Sequence, residues 1–239
     1  MTTFVLVHGA WGGSYGWRKV RPLLEAAGHD VFTPSLTGLG ERSHLASPKV
    51  TLSTHIEDVT NVLQFEELSD IVLVGYSYGG MVVTGVVDRM GDRVKHLVYL
   101  DAFVPNDGQA LYTINAPGGS IPTPPPLTEK DDWLISPIER RFDDPAEKAW
   151  NDARRVSHPR GCFTEPVQLR TPLEDLPFSR TYIKATADAR PAEGPQGFWG
   201  FADRTRSDPR WRYREIDCDH MVPQKKPEEL AELLLEVIR

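Results

Sequence analysis

Apolar positions along the chain fall into two alternating rhythms. Residues 4–8, opening Phe4-Val5-Leu6-Val7, form a short apolar run that predicts a strand. Trp17, Val20, Leu23 and Leu24 then share one face of a helix that stops near Gly28. A second strand is predicted over 30–33. Thr54 and Glu57 have capping-box spacing, with Ile56, Val59, Val62 and Leu63 on one helical face behind them. The run 71–75 is almost wholly apolar, as in a strand buried on both sides. A helix over 81–90 and a strand over 94–100 follow. Strands alternating with helices predict an α/β fold: an open, mostly parallel sheet with helices on both faces.

The rhythm breaks between 105 and 177, where 12 of the 20 prolines lie. Residues 117–126 read as loop. Asp144-Pro145 reads as an N-cap and first-turn proline, opening a short helix through Trp150 to about Arg155. Thr128 is placed to cap another short helix carrying Trp133 and Leu134. Tyr112, Trp133, Phe142 and Trp150 give this stretch apolar surface to pack. It therefore reads as a cap, approximately 105–180, inserted into one domain spanning 1–239, and not as a loose excursion. The alternation then resumes with strands over 181–186 and 211–216. A last helix begins at Pro227, with Leu230, Leu233, Leu234, Val237 and Ile238 on one face. The expected sheet has about six strands.

Composition narrows the function. The 239 residues are 40% hydrophobic and 26% charged, as in an ordinary globular protein. No apolar run is long enough to span a membrane, and no basic segment with an apolar core precedes the first strand, so a cytoplasmic protein is expected. The net charge of −7 argues against nucleic acid as a partner. The one basic cluster, Arg204, Arg206, Arg210, Arg212 and Arg214, is interleaved with acids and reads as a solvated loop and strand edge. Two cysteines, Cys162 and Cys218, make neither a disulfide framework nor a metal motif. The expected partner is a small molecule, and the expected assembly a monomer or homodimer.

The strongest local signal is Gly75-Tyr76-Ser77-Tyr78-Gly79-Gly80, between a buried strand and a helix. That is the context of a G-x-S-x-G nucleophile elbow, with Ser77 as nucleophile. A serine hydroxyl needs a base. Of seven histidines, His220 stands in the loop between the last strand and the last helix. His8 reads as structural, orienting the loop after the first strand. The base needs an acid to fix its tautomer. Asp188, just after the strand over 181–186, gives the chain order Ser77, Asp188, His220 expected of this fold. Asp101, at the end of the preceding strand, is its rival. The oxyanion would be held by two main-chain amides, those of Tyr78 and of Ala10 in the glycine-rich loop His8-Gly9-Ala10-Trp11-Gly12-Gly13. That loop carries no P-loop or dinucleotide fingerprint.

These segments resemble the α/β-hydrolase superfamily. His8-Gly9-Ala10-Trp11, the Ser77 elbow, Asp219-His220-Met221, and Pro22-Leu23-Leu24-Glu25-Ala26-Ala27-Gly28-His29 are most similar to the branch holding plant methylesterases, plant hydroxynitrile lyases and bacterial carboxylesterases. The resemblance implies a triad of Ser77, Asp188 and His220 and oxyanion amides at Ala10 and Tyr78. It departs from the lyases, which have a lysine where Met221 stands and a threonine where this chain has Gly9-Ala10. A serine carboxylesterase for small, aromatic or methyl esters is therefore expected, ahead of a cyanohydrin lyase or a non-catalytic ligand receptor. The expected pocket lining is Trp11, Tyr15, Trp17, Tyr76, Tyr78, Phe103 and Met221. No metal or organic cofactor is implied.

Overall fold

The structure is a computed structural model that describes residues 1–116, 119–120, 131–193 and 197–238. Six strands form one sheet: β1 (Thr3–Val7), β2 (Asp30–Phe32), β3 (Ile71–Tyr76), β4 (Val94–Leu100), β5 (Ser179–Ala185) and β6 (Trp211–Ile216). Their order is β6-β5-β4-β3-β1-β2 and every pairing is parallel. The carboxyl ends of all six strands therefore lie along one edge. The expected α/β-hydrolase architecture is what the chain adopts.

Side-chain alternation explains the two layers. In β1, Val5 and Val7 enter one core, while Phe4 and Leu6 enter the other. Helices α2 (Leu52–Phe65) and α3 (Gly79–Met90) fill the first core through Ile56, Val59, Leu63, Val82 and Val86. The second core takes Leu24 from α1 (Arg21–Ala26) and Leu230 and Leu234 from the C-terminal helix Pro227–Glu236.

Several local expectations change. The first helix is split, because Pro22 can open a helix but not continue one: a 3₁₀ turn (Ser14–Trp17) precedes α1. The capping box of α2 is Thr51 with Thr54, one turn earlier than Thr54 with Glu57. Starting there buries Leu52 and His55. Thr128 and most of 117–126 lie outside the described residues. Leu134 does not join a helix; Leu134–Ile135 pairs antiparallel with His158–Pro159, with Pro137 close behind to bar a helix. The Asp144 N-cap is present, its carboxylate accepting from the Ala146 amide at 2.8 Å, and the helix α4 (Pro145–Asp152) follows. A further helix, α5 (Phe198–Ser207), was not anticipated. It takes Arg204 and Arg206 out of the expected loop, and the Arg204 guanidinium donates to the Val104 carbonyl at 2.7 Å.

The turn from β3 into α3 has no room for a side chain at Gly75 or Gly80. A Cβ at Gly75 would stand 2.6 Å from Val83 Cγ2, and one at Gly80 would stand 2.1 Å from the Phe103 carbonyl oxygen. Gly80→Ala should therefore destabilise the protein by about 2 kcal/mol or more, because backbone must move. Gly91→Ala, where the nearest atom is 3.4 Å away on the Phe178 ring, should change stability by less than about 1 kcal/mol. Denaturant midpoints of the two variants check the contrast.

Candidate active site

The site is assembled where strands end. Ser77 follows β3 with φ +56°, a left-handed conformation that a serine adopts only under constraint. Its amide donates to the Leu100 carbonyl at 3.2 Å, and its carbonyl accepts from the Phe103 amide at 3.2 Å. The elbow is thus pinned to the end of β4. His220 follows β6. Its Nε2 lies 2.9 Å from Ser77 Oγ, so the hydroxyl donates to the ring. The other nitrogen, Nδ1, donates to Asp101 Oδ2 at 2.7 Å.

The ring's carboxylate partner is therefore Asp101 and not the preferred Asp188. Asp101 sits directly at the end of β4 with φ +40°, and its amide is held by the Ile183 carbonyl at 2.8 Å. Asp188 lies three residues beyond β5 and reaches the other side of the histidine: its Oδ2 accepts from the His220 main-chain amide at 2.9 Å. The two acids divide the work, one on the ring and one on the backbone that carries it.

A second cation stands behind Asp101. Lys184, from β5, has its ammonium 2.7 Å from Asp101 Oδ1, and both side chains are almost fully buried. The ammonium also donates to the Ala185 carbonyl and lies 4.5 Å from the centre of the Trp199 ring. Burial by itself would raise the Asp101 carboxyl, but the bonds and charges of His220 and Lys184 outweigh it and hold the group below the usual carboxylate range. For His220 burial wins, aided by the Arg140 charge; the imidazole is held below its ordinary value although Asp101 pulls the other way.

Two aromatic residues fix the imidazole plane. Phe198 stacks on it at 4.8 Å with an 8° tilt, and Tyr76 lies on it at 5.0 Å. The Tyr76 hydroxyl donates to the His220 carbonyl at 2.6 Å. Phe198 was not foreseen from sequence, because nothing in 197–207 marks it apart from ordinary helix core.

The glycine-rich loop after β1 lies against the elbow. A Cβ at Gly9 would come within 2.9 Å of Ser77 Cβ. The His8 ring holds this loop, Nδ1 donating to the Gly9 carbonyl at 2.8 Å and Nε2 accepting from the Leu36 amide at 3.1 Å. Burial lowers its pKa to about 4, so it is a neutral strut. Among the described residues neither the Ala10 nor the Tyr78 amide has an acceptor. Both flank the serine in sequence or in space.

Ser77, His220 and the loop bearing Ala10 border a cavity of about 40 Å³, which Tyr15, Trp17, Tyr76 and Met221 also line, as expected. Trp11, Tyr78 and Phe103 do not. Trp11, at φ +61°, is instead clamped by the inserted segment: its amide donates to His158 Nδ1 at 3.3 Å, its carbonyl accepts from the Val156 amide at 3.2 Å, and its indole donates to the Ile135 carbonyl at 3.0 Å. The segment thereby fixes the loop that carries Ala10. Tyr78 points into the core, its hydroxyl 2.9 Å from His55 Nδ1. Phe103 packs on Phe198 and Phe201. From the segment itself, α4 supplies Asn151 to the cavity wall, and Arg140 and Arg155 complete it.

Among the described residues one group has donors close enough for a metal ion: His55, His158 and Cys162, within 4.8 Å of one another. Both nitrogens of His55 are spent, Nε2 donating to the Thr37 carbonyl at 2.8 Å and Nδ1 accepting from Tyr78. Burial pushes the Cys162 thiol far up, towards the neutral form that ligates poorly. His158 accepts from the Trp11 amide at Nδ1 and leaves Nε2 without a partner, against a thiol held in its neutral form.

A serine, an imidazole, a buried carboxylate and two unclaimed amides meet at the carboxyl edge of a parallel sheet, the set of groups that nucleophilic acyl transfer uses. The chain belongs to the alpha/beta hydrolase family, whose model matches residues 4–233. It is 38% identical to a carbendazim hydrolyzing esterase of Nocardioides sp. (strain SG-4G), over 98% of each chain. It is 27% identical to putative methylesterase 19 of Arabidopsis thaliana, over 98% of this chain and 96% of that one. In fold it matches an extracellular alpha/beta-hydrolase from a Paenibacillus species with a TM-score of 0.79, at 24% identity and over 99% of both chains.

The two acids make distinct predictions. Asp101→Asn should lower kcat by about 10³–10⁴-fold, the loss seen when a triad histidine is left in the wrong tautomer. It should also cost about 3 kcal/mol of stability, because it strands the Lys184 ammonium. Asp101→Asn/Lys184→Met should regain stability and stay inactive. Asp188→Asn keeps an oxygen for the His220 amide and should cost less than about tenfold. Steady-state rates and thermal melts on the four proteins decide; a crippled Asp188→Asn beside an active Asp101→Asn would reverse the assignment.

Proposed function

We propose that this chain is a serine carboxylesterase acting on small esters, methyl and aryl esters among them, through an acyl-enzyme. One observation carries the reading: Ser77 Oγ, His220 and Asp101 form an unbroken hydrogen-bonded line, 2.9 and 2.7 Å, beside the unclaimed amides of Ala10 and Tyr78.

His220 Nε2 removes the Ser77 proton as Oγ attacks the ester carbonyl. Asp101 holds the ring with Nδ1 protonated and stabilises the imidazolium that forms. The amides of Ala10 and Tyr78 donate to the developing oxyanion. The imidazolium then protonates the leaving alcohol. A water, deprotonated by the same nitrogen, attacks the acyl-enzyme and releases the acid. The chemistry is complete with side chains and water. Within the expected cap, residues 135–158 shape the cavity through Arg140, Asn151 and Arg155 and steady the oxyanion loop through Ile135, Val156 and His158.

Met221 sets an uncharged thioether beside His220, which fits ester hydrolysis better than cyanide release. The relatives named as esterases support the same class, and carbendazim joins the compounds to screen. Both cysteines are free and buried, in keeping with a cytoplasmic protein, and among the described residues no helix is long and apolar enough to cross a membrane.

Nitrophenyl acetate and methyl benzoate, offered to wild type and Ser77→Ala, test the reading. Turnover by wild type and a loss of about 10⁴-fold or more in the folded variant are expected. An organophosphate should add one adduct to wild type and none to Ser77→Ala. Equal rates in the two proteins would overturn the assignment. The pH profile is a further check. Because burial and Arg140 keep the His220 imidazole neutral below its ordinary range, the acid limb of kcat/KM should have its midpoint below about 6.5.

A further inference from the structure

The lining of the candidate active-site cavity carries charges and donors that the proposed hydrolytic machinery does not use. Arg140 and Arg155 both border the cavity, and the Arg140 charge disfavours the charged forms of Arg155 and His220. Among the described residues neither has a carboxylate within 4 Å, although the chain forms ion pairs freely elsewhere. Asp152, whose field reaches Arg155, is already bonded to Lys148 at 2.6 Å. Arg155 spends one nitrogen on the Ile138 carbonyl and lies 5.5 Å from the centre of the Trp11 ring, and neither contact neutralises its charge.

Three further polar atoms, on residues that line the same cavity, are buried without a partner. The Trp17 indole N–H has no acceptor, although the residue is 1% exposed. The Asn151 amide nitrogen feels the adjacent Asp152 without meeting it in hydrogen-bond geometry. Gln224 Oε1 has no donor. A buried donor left unpaired is costly, and native proteins pair nearly all of them. Two like charges facing one small space are costlier still. The two unpaired donors and the two guanidiniums are met by the same occupant, a group rich in acceptor oxygens that carries negative charge; Gln224 Oε1, itself an acceptor, is not met by it.

We infer that the Arg140–Arg155 wall is a carboxylate subsite and that the preferred substrates are short esters carrying a free carboxylate, such as monoesters of small dicarboxylic acids. The inference rests on the serine-esterase reading of Ser77. A carboxylate accepts bidentately from a guanidinium and from the indole and amide donors together. Arg140 and Arg155 line the same cavity as Ser77 and His220, so the chain between carboxylate and ester carbonyl is short.

The test compares monoethyl succinate with ethyl 4-methylpentanoate, in which an isopropyl group replaces the carboxylate at similar size. Ethanol release is measured for wild type, Arg140→Met and Arg155→Met, with thermal melts to show that each is folded. In wild type the kcat/KM for monoethyl succinate should exceed that for the neutral ester by about ten- to hundredfold, the worth of charge-assisted hydrogen bonds in a shielded site. The ratio should fall about tenfold in each arginine variant and should shrink with added salt. A wild-type ratio of one or below, or a ratio unchanged in both variants, overturns the subsite while leaving the esterase standing. Calorimetry with monoethyl succinate and Ser77→Ala separates the two readings. If no ester is cleaved but this protein binds the monoester, and loses binding when Arg140→Met is added, the subsite stands and the esterase reading falls. No binding and no preference sinks the subsite.

Discussion

A carboxylate with no access to solvent, shared between an imidazole and an ammonium, is the constraint on which the site depends. Left alone, the Asp101 charge would cost several kcal/mol to bury. Lys184 and His220 offset that cost from opposite oxygens, at the same distance of 2.7 Å. The arrangement decides the tautomer of His220, since only a protonated Nδ1 can donate to Asp101, and so it leaves Nε2 free to accept from Ser77. It also limits the pull on the imidazole. A carboxylate already paired with a lysine favours imidazolium less than a lone one would, and burial then keeps the resting ring neutral. A base that is neutral at rest and stabilised once protonated is what acyl transfer requires.

The backbone supplies the rest of the precision. Ser77, Asp101 and Trp11 all stand at positive φ without being glycine, and all three lie at or beside the carboxyl edge of the sheet. Such residues persist only where their surroundings over-determine them. Ser77 is tied to β4 through both its amide and its carbonyl, Asp101 to β5, and Trp11 to the inserted segment by three bonds. Trp150 of α4 is itself gripped between Arg18 and Arg154, whose guanidiniums lie 3.8 and 4.1 Å from its ring, and Tyr15 bonds the Arg154 carbonyl. The segment is therefore clasped to the N-terminal loop on both sides, so its packing and the position of the Ala10 amide are one problem.

Much of this was legible before any coordinates. The central strands β1, β3 and β4 were readable because parallel strands buried on both faces are nearly all apolar, and Ser77 and His220 stood out because the elbow and the last loop have few alternatives. Asp188 was preferred over Asp101 on chain order, a rule about where acids usually stand and not about which oxygen can reach a ring. The better signal was Lys184. A lysine inside the strand Tyr182-Ile183-Lys184-Ala185, apolar on every other side, needs a buried anion, and the register Leu100↔Ile183 puts Asp101 next to it. Trp11 was misread for a different reason: aromatic residues near a nucleophile look alike in sequence whether they line a pocket or clamp a loop. The partner that makes it a clamp, His158, lies 147 residues away. Phe198, stacked on the imidazole, is likewise a contact that only tertiary packing creates.

The charges around the cavity join binding to basicity. Arg140 faces His220 closely enough to disfavour its protonation, and it also faces the space a substrate would fill. A carboxylate seated between Arg140 and Arg155 would cancel that field at short range, where little water intervenes to screen it. The imidazole would then accept the Ser77 proton more readily with substrate in place than without it. A neutral ester leaves the field of Arg140 intact and the base weaker. Discrimination on this account falls on kcat as well as on KM, because the group that recognises the substrate also sets the strength of the base that attacks it.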